Sequence, residues 1–126
     1  MLDRATVSGW LDAYVQAWKT YEKDAIGALF SEDAIYYYNP YSEPVRGREA
    51  ILASWLAEPD IAGTYDAHYE PIVIEGDRAV TNGRSRYFEQ GGSKLKDEWD
   101  NVFILRFDEQ GRCKEYREWY MRRPKE

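Results

Sequence analysis

The chain holds one histidine and one cysteine among its 126 residues, and these shortages narrow its chemistry. A lone Cys113 cannot close an internal disulfide, and it suits a reducing compartment. His68 alone does not furnish a histidine-based metal site, and no metal or organic cofactor is implied. Basic residues are also in deficit: 17 Lys and Arg face 23 Asp and Glu, for a net charge of -6 with no basic stripe. That balance excludes nucleic acid as the main partner. No apolar run approaches the roughly 20 residues of a membrane span, and the N-terminus lacks the pattern of a signal peptide. Repeats, linkers and low-complexity tracts are missing too. The expectation is a cytoplasmic protein with no membrane partner, residues 1–126 forming one domain.

Aromatics are abundant instead, with eleven Tyr and five Trp. Each combines apolar bulk with a polar tip, so the excess suits a cavity or an interface as well as a core. Val7, Trp10, Leu11, Tyr14, Val15 and Trp18 fall at i, i+3, i+4, i+7, i+8 and i+11, which predicts a first helix with one broad apolar face and Asp3 as its N-cap. Ala25, Ile26, Leu29 and Phe30 predict a second, shorter helix ended by Ser31, Glu32 and Asp33. Ala34 to Tyr38 reads as a short strand closed by Asn39-Pro40, followed by a loop from Tyr41 to Gly47. Ile51, Leu52, Trp55 and Leu56 mark a third helix ending before Pro59, and Asp60 to Asp66 reads as a loose segment suited to a lid.

Four strands follow. His68 to Glu75 and Arg78 to Gln90 join across Gly76-Asp77, and Gly91-Gly92-Ser93 leads into a long hairpin from Asp97 to Met121 that turns at Gly111. Val102 to Leu105 is apolar without a break, so both faces of that strand should be covered, one by helices and one by a second subunit. Segregated helices and antiparallel strands define an α+β domain, three helices lying on one face of a curved, mostly antiparallel sheet. Period two divides the last strand into Tyr116, Glu118 and Tyr120 on one face and Glu115, Arg117, Trp119 and Met121 on the other. Facing inward, Glu118 is a candidate acid or base. Facing outward, it is ordinary surface charge.

Several joints in this order carry a family likeness. Ala28-Leu29-Phe30-Ser31-Glu32-Asp33-Ala34 enters the first strand, and Arg46-Gly47-Arg48-Glu49-Ala50-Ile51 enters the third helix. Glu75-Gly76-Asp77-Arg78-Ala79 stands at a strand turn, and Arg106-Phe107 runs through Gly111 to Glu118-Trp119-Tyr120. Taken together they resemble the nuclear transport factor two-like superfamily, which includes SnoaL-like cyclases, ketosteroid isomerases, scytalone dehydratases and limonene epoxide hydrolases. The resemblance implies a cone-shaped domain with a pocket between helices and concave sheet, often a homodimer through the convex sheet face.

It also implies a strand phase in which Ala79, Thr81, Gly83, Ser85 and Tyr87 face inward with Trp99, Asn101, Phe103 and Leu105, and with Tyr116, Glu118 and Tyr120. Gly83 and Ser85 are small, which is the sequence argument for a cavity. Glu118 aligns with a strand position that is often acidic in the cyclases and hydrolases. Two family patterns are not reproduced. Gly83 and Ser85 stand where the hydrolases place an arginine and an aspartate, and Tyr36, Tyr37, Tyr38 and Asn39 stand where the isomerases place an aspartate base. Tyr14 resembles the isomerases' oxyanion tyrosine in position.

The chemical reading follows from that phase. A carboxylate between Tyr116 and Tyr120 loses water, its pKa rises, and it becomes a base that works near neutrality. The bland alternative is a carboxylate paired with Arg84, Arg86 or Arg117. His68 and Tyr36 are candidate proton partners, and Asn101 is a candidate to hold a carbonyl or a water. Tyr14, Trp18, Tyr38, Trp55, Ser85, Tyr87, Trp99, Phe103, Tyr116 and Tyr120 are candidate contacts to a small, largely apolar ligand, with core packing as the alternative for the aromatics. Isomerisation, cyclisation or hydration with Glu118 as base is the leading expectation; a non-catalytic ligand-binding or dimerisation module of the same fold is its rival. Val80, Phe88, Val102, Ile104, Trp119 and Met121 fall on the outer face, which predicts a homodimer that covers them.

Overall fold

The computed structural model describes residues 2–91 and 93–125; Gly92, within the predicted turn before the long hairpin, lies outside them. The elements are α1 (Arg4–Thr20), α2 (Lys23–Gly27), β1 (Phe30–Tyr37), β2 (Val45–Arg46), α3 (Arg48–Ala57), β3 (Tyr65–Glu75), β4 (Arg78–Phe88), β5 (Leu95–Phe107) and β6 (Cys113–Arg122). Asp3 caps α1 as its spacing predicts, its carboxylate accepting from the Thr6 amide at 2.8 Å. The same helix buries Val7, Trp10, Leu11 and Tyr14.

One six-stranded sheet has the order β2-β1-β6-β5-β4-β3. After β1 the chain crosses through α3 to the far edge and meanders back, so its last strand docks parallel to its first and antiparallel to β5. β6 therefore lies inside the sheet, and its inner side chains are flanked from both sides. Register shifts in β3, β4–β5 and β5–β6 bend the long strands around the helices, as bulges do.

Two sequence expectations fail locally. The second helix does not reach Phe30: α2 stops at Gly27, and Phe30 already pairs with Cys113, whose amide donates to the Leu29 carbonyl at 2.8 Å. A five-residue helix has little stability of its own, and pairing with β6 outweighs the helical spacing. The loop from Tyr41 to Gly47 also contains β2, where Ile35 pairs with Arg46. The inner phase is the expected one, with Ala79, Thr81, Ser85, Asn101, Phe103, Leu105 and Tyr116 all buried. Among the described residues no helix is long and apolar enough to cross a membrane.

Candidate functional site

Register alone places the site's polar chain. Glu118 on β6 stands opposite Phe103, diagonal to Asn101 on β5, and Asn101 stands opposite Gly83, diagonal to Ser85 on β4. Diagonal neighbours on one sheet face lie within reach of polar side chains. Ser85 Oγ donates to Asn101 Oδ1 at 3.0 Å, and Asn101 Nδ2 donates to Glu118 Oε2 at 2.8 Å. The Tyr116 phenol donates to Glu118 Oε1 at 2.7 Å.

A phenol cluster extends the chain. Tyr36 and Tyr116 are direct partners across the parallel β1–β6 pair, and their rings stack 4.1 Å apart at 3°. From α1, Tyr14 brings its hydroxyl to 3.1 Å from that of Tyr116 and 3.4 Å from that of Tyr36. Because Tyr116 commits its proton to Glu118, its oxygen is free to accept from Tyr14. The Tyr36 proton, facing only the long contact to Tyr14, is the least committed of the three. Burial, reinforced by neighbouring phenols and by Glu118, pushes all three phenols well above their usual 10.

All of these side chains except Tyr116 border a cavity of about 210 Å³. Tyr14, Trp18, Tyr36, Tyr38, Trp55, Ser85, Tyr87, Asn101 and Glu118 line it, and it opens into a vestibule of about 470 Å³ bordered by Trp99 and Tyr120. Glu118 borders both spaces and is half-buried. Burial raises its carboxyl pKa from 4.5 to about 7, against the opposing pull of the Tyr116 and Asn101 hydrogen bonds.

Among the described residues no arginine pairs with Glu118. Arg84 pairs with Asp100, Arg86 with Glu98 and Arg117 with Glu115, all as cross-strand or same-strand pairs on the other face, which sets aside the alternative of an arginine-paired carboxylate. Among the described residues no group of three His, Cys, Asp or Glu side chains is arranged to hold a metal.

Four expectations need correction. His68 does not join the site: on β3 the inner residues are Tyr65, Ala67 and Tyr69, so the imidazole points outward, largely exposed, and meets Glu70 at 3.2 Å. Phe103 is core beneath the cavity, 5.1 Å centroid to centroid from Tyr116, and does not line it. Tyr116 is fully buried and donates to Glu118 instead of bordering the cavity. Gly83 does not open the cavity either. A Cβ there would collide with the His68 carbonyl and stand 2.6 Å from Tyr69 Cδ1, so the missing side chain makes room for the Tyr69 ring.

Sequence reasoning missed Tyr21, Ser54, Glu58, Asp60 and Tyr69 in the lining. Ser54 meets Tyr38 at 2.6 Å. Tyr21 follows α1 with φ 54, a left-handed conformation unusual for a tyrosine. Its hydroxyl and the Trp18 indole N–H both donate to Asp60 Oδ2, at 3.4 and 2.9 Å. The segment expected as a lid is thus shorter than 60–66, since β3 begins at Tyr65, and it is tied to α1 through Asp60. Tyr69 was detectable in principle, as the inward β3 residue directly opposite Gly83 on β4.

A family model described as a SnoaL-like domain matches residues 11–116. No curated protein matches the sequence. Similar solved structures include an NTF-2-like protein of unknown function from Burkholderia xenovorans LB400, with 20% identity, 97% of this chain and 87% of that chain covered, and a TM-score of 0.69. They also include an LEH-like epoxide hydrolase from M. tuberculosis, with 15% identity, 94% and 84% covered, and a TM-score of 0.62. At these identities the likeness is one of fold.

Proposed function

The chain belongs to the SnoaL-like family, and on that premise we propose that it is an enzyme acting on a small molecule, with Glu118 as general base. The observation that supports this most is a carboxyl with a pKa of about 7, at a cavity wall, without a cationic partner. A base poised near the working pH combines a useful ionised fraction with enough basicity to take a proton. Fold alone would not single out a reaction.

The proton inventory assigns the other roles. Each Glu118 oxygen accepts one protein hydrogen bond and keeps a lone pair for a substrate C–H or a water. Tyr36 offers the uncommitted phenol proton to an oxygen on which negative charge develops, with Tyr14 behind it. Asn101, its amide oriented by Ser85, is a positioning residue that fixes the Glu118 carboxylate. Isomerisation, cyclisation and hydration all fit one base and one phenol donor. The solved epoxide hydrolase makes hydration the chemistry with a structural neighbour.

The test begins with a mass-spectrometric search for small molecules that copurify with the protein, followed by assays of binding and conversion. Turnover falling by about 10²-fold or more in Glu118→Gln with affinity retained is the expected result. Undiminished turnover in that variant overturns the assignment. Binding without conversion by either protein leaves a carrier or sensor built on the same cavity.

A further inference from the structure

The cavity's charge is one-sided. Glu118 on its wall and Glu58 and Asp60 at its rim are acidic, and none of its described lining residues is Lys, Arg or His. Elsewhere the opposite holds: the sheet's outer face and the C-terminal end pair Arg84, Arg86, Arg106, Arg117, Arg122 and Arg123 with carboxylates. Among the described residues the three cavity acids have no ionic partner. In a concave site such like charge reinforces itself and attracts positive charge.

Asp60 is held in place. Trp18 and Tyr21 both donate to its Oδ2, its own amide donates to the Tyr21 hydroxyl at 3.0 Å, and Tyr21 adopts a left-handed backbone conformation in the position that does so. Such conformations persist where the surroundings over-determine them. Oδ1 takes no hydrogen bond among the described residues, so the carboxylate has an acceptor to spare. Tyr87 lines the same cavity as both carboxylates. The remaining wall is aromatic, with Trp18, Trp55 and Tyr69 among its rings. Indole and phenol faces carry negative potential, and they favour a cation within about 6 Å of the ring centre.

We propose that the ligand of this cavity carries an ammonium group on a compact apolar body, an alkyl or aryl amine, with the cation held by Asp60 among the aromatic rings at the rim and the apolar body directed toward Glu118. The proposal rests on the reading of this cavity as a small-molecule site, and it adds the ligand's charge and chemical class.

Three probes of similar size separate the charge states: phenethylammonium, 2-phenylethanol and 3-phenylpropionate, titrated calorimetrically at neutral pH into the wild-type protein and into Asp60→Asn. Asp60 is exposed, so the substitution does not disturb the core. The ammonium is expected to bind at least about tenfold more tightly than the alcohol, the carboxylate to bind least, and the gap to shrink to about threefold or less in Asp60→Asn. Equal affinity for alcohol and ammonium, preference for the carboxylate, or a gap that survives the substitution overturns the proposal. Each of those leaves the Glu118 assignment intact, because that is tested by turnover in Glu118→Gln. Absence of binding by all three probes overturns the ligand class as well.

Discussion

Tyr116 and Glu118 stand two positions apart on the inner face of β6, and the phenol of the first donates to the carboxylate of the second at 2.7 Å. Burial and hydrogen bonding therefore act on this carboxyl with opposite sign, and burial prevails. Removing the phenol removes one of the groups that favours the charged form. Tyr116→Phe should move the Glu118 pKa above about 7, read by the pH dependence of its side-chain carboxyl ¹³C shift. The same substitution leaves Tyr14 without its acceptor, at a cost of about 1–2 kcal/mol in unfolding free energy. A pKa that falls would show that the phenol does not donate to the carboxylate.

The raised pKa carries a stability consequence with a definite sign. In the unfolded chain Glu118 loses its proton near 4.5, whereas in the folded protein it keeps it until about 7. Between those values the folded state binds more protons, so this group's contribution to stability falls as pH rises and stays low above about 7. The groups facing it are the phenols of Tyr14, Tyr36, Tyr38, Tyr69, Tyr87 and Tyr116, which remain protonated throughout. The full shift corresponds to roughly 3 kcal/mol, and water entering through the cavity reduces it to about 1–3 kcal/mol. Glu118→Gln should be more stable than the wild type at about pH 8 by that amount, and close to it at about pH 5. Urea denaturation at both values checks this; an equal difference at the two values would remove the raised pKa.

Gly83 opposite Tyr69 gives a purely steric prediction. A methyl at position 83 would stand 2.6 Å from Tyr69 Cδ1 and 2.7 Å from its Cα, and would collide with the His68 carbonyl, a backbone atom inside the sheet. Neither strand can yield without breaking pairing. Gly83→Ala should therefore lower the unfolding free energy by about 2–4 kcal/mol, measured by denaturant titration, where the same change at the exposed and open Gly9 should be neutral or stabilising.

How much of this could be seen in the sequence depended on whether one element or several decided the outcome. α1 is legible because a single amphipathic repeat determines its buried face, and the β4–β6 phase is legible because alternation fixes it once one residue is oriented. That phase brings Glu118, Asn101 and Ser85 to one face. His68 escaped the same logic: the bulge between Pro71 and Val73 breaks the β3 alternation, so its hydrophobic residues do not report the inner set. Asp60 was invisible because its place is set by Trp18 and Tyr21, about 40 residues earlier in the chain and joined to it only through tertiary packing.

The outward position of His68 makes a negative prediction. Its imidazole meets only Glu70 among the described ionisable partners, at an exposed site on the sheet face opposite the cavity. His68→Ala should leave ligand affinity and turnover within about twofold of the wild type and change stability by no more than about 0.5 kcal/mol. A larger loss of turnover would mean that β3 shifts to bring the ring inward.

The face that carries His68 has a second, apolar region. Val102 and Trp119 are direct cross-strand partners on its β5–β6 part, 37% and 40% exposed, and Met121 beside Asp100 is 75% exposed. Arg84, Arg86 and Arg123 alternate around them with Glu98 and Asp100. Both charge signs therefore lie in one patch, the arrangement that lets a surface complement its own copy across a two-fold axis. We propose that a second copy covers this patch. Light scattering at micromolar concentration should give twice the chain mass for the wild type. Trp119→Asp places a charge at the centre of the contact and should weaken association at least about 30-fold, giving the monomer mass with far-ultraviolet circular dichroism unchanged. Because Glu118 faces the cavity on the opposite side of the same strand, the monomeric variant should still bind ligand. A monomeric wild-type protein would end the proposal and leave Val102, Trp119 and Met121 as solvent-exposed surface.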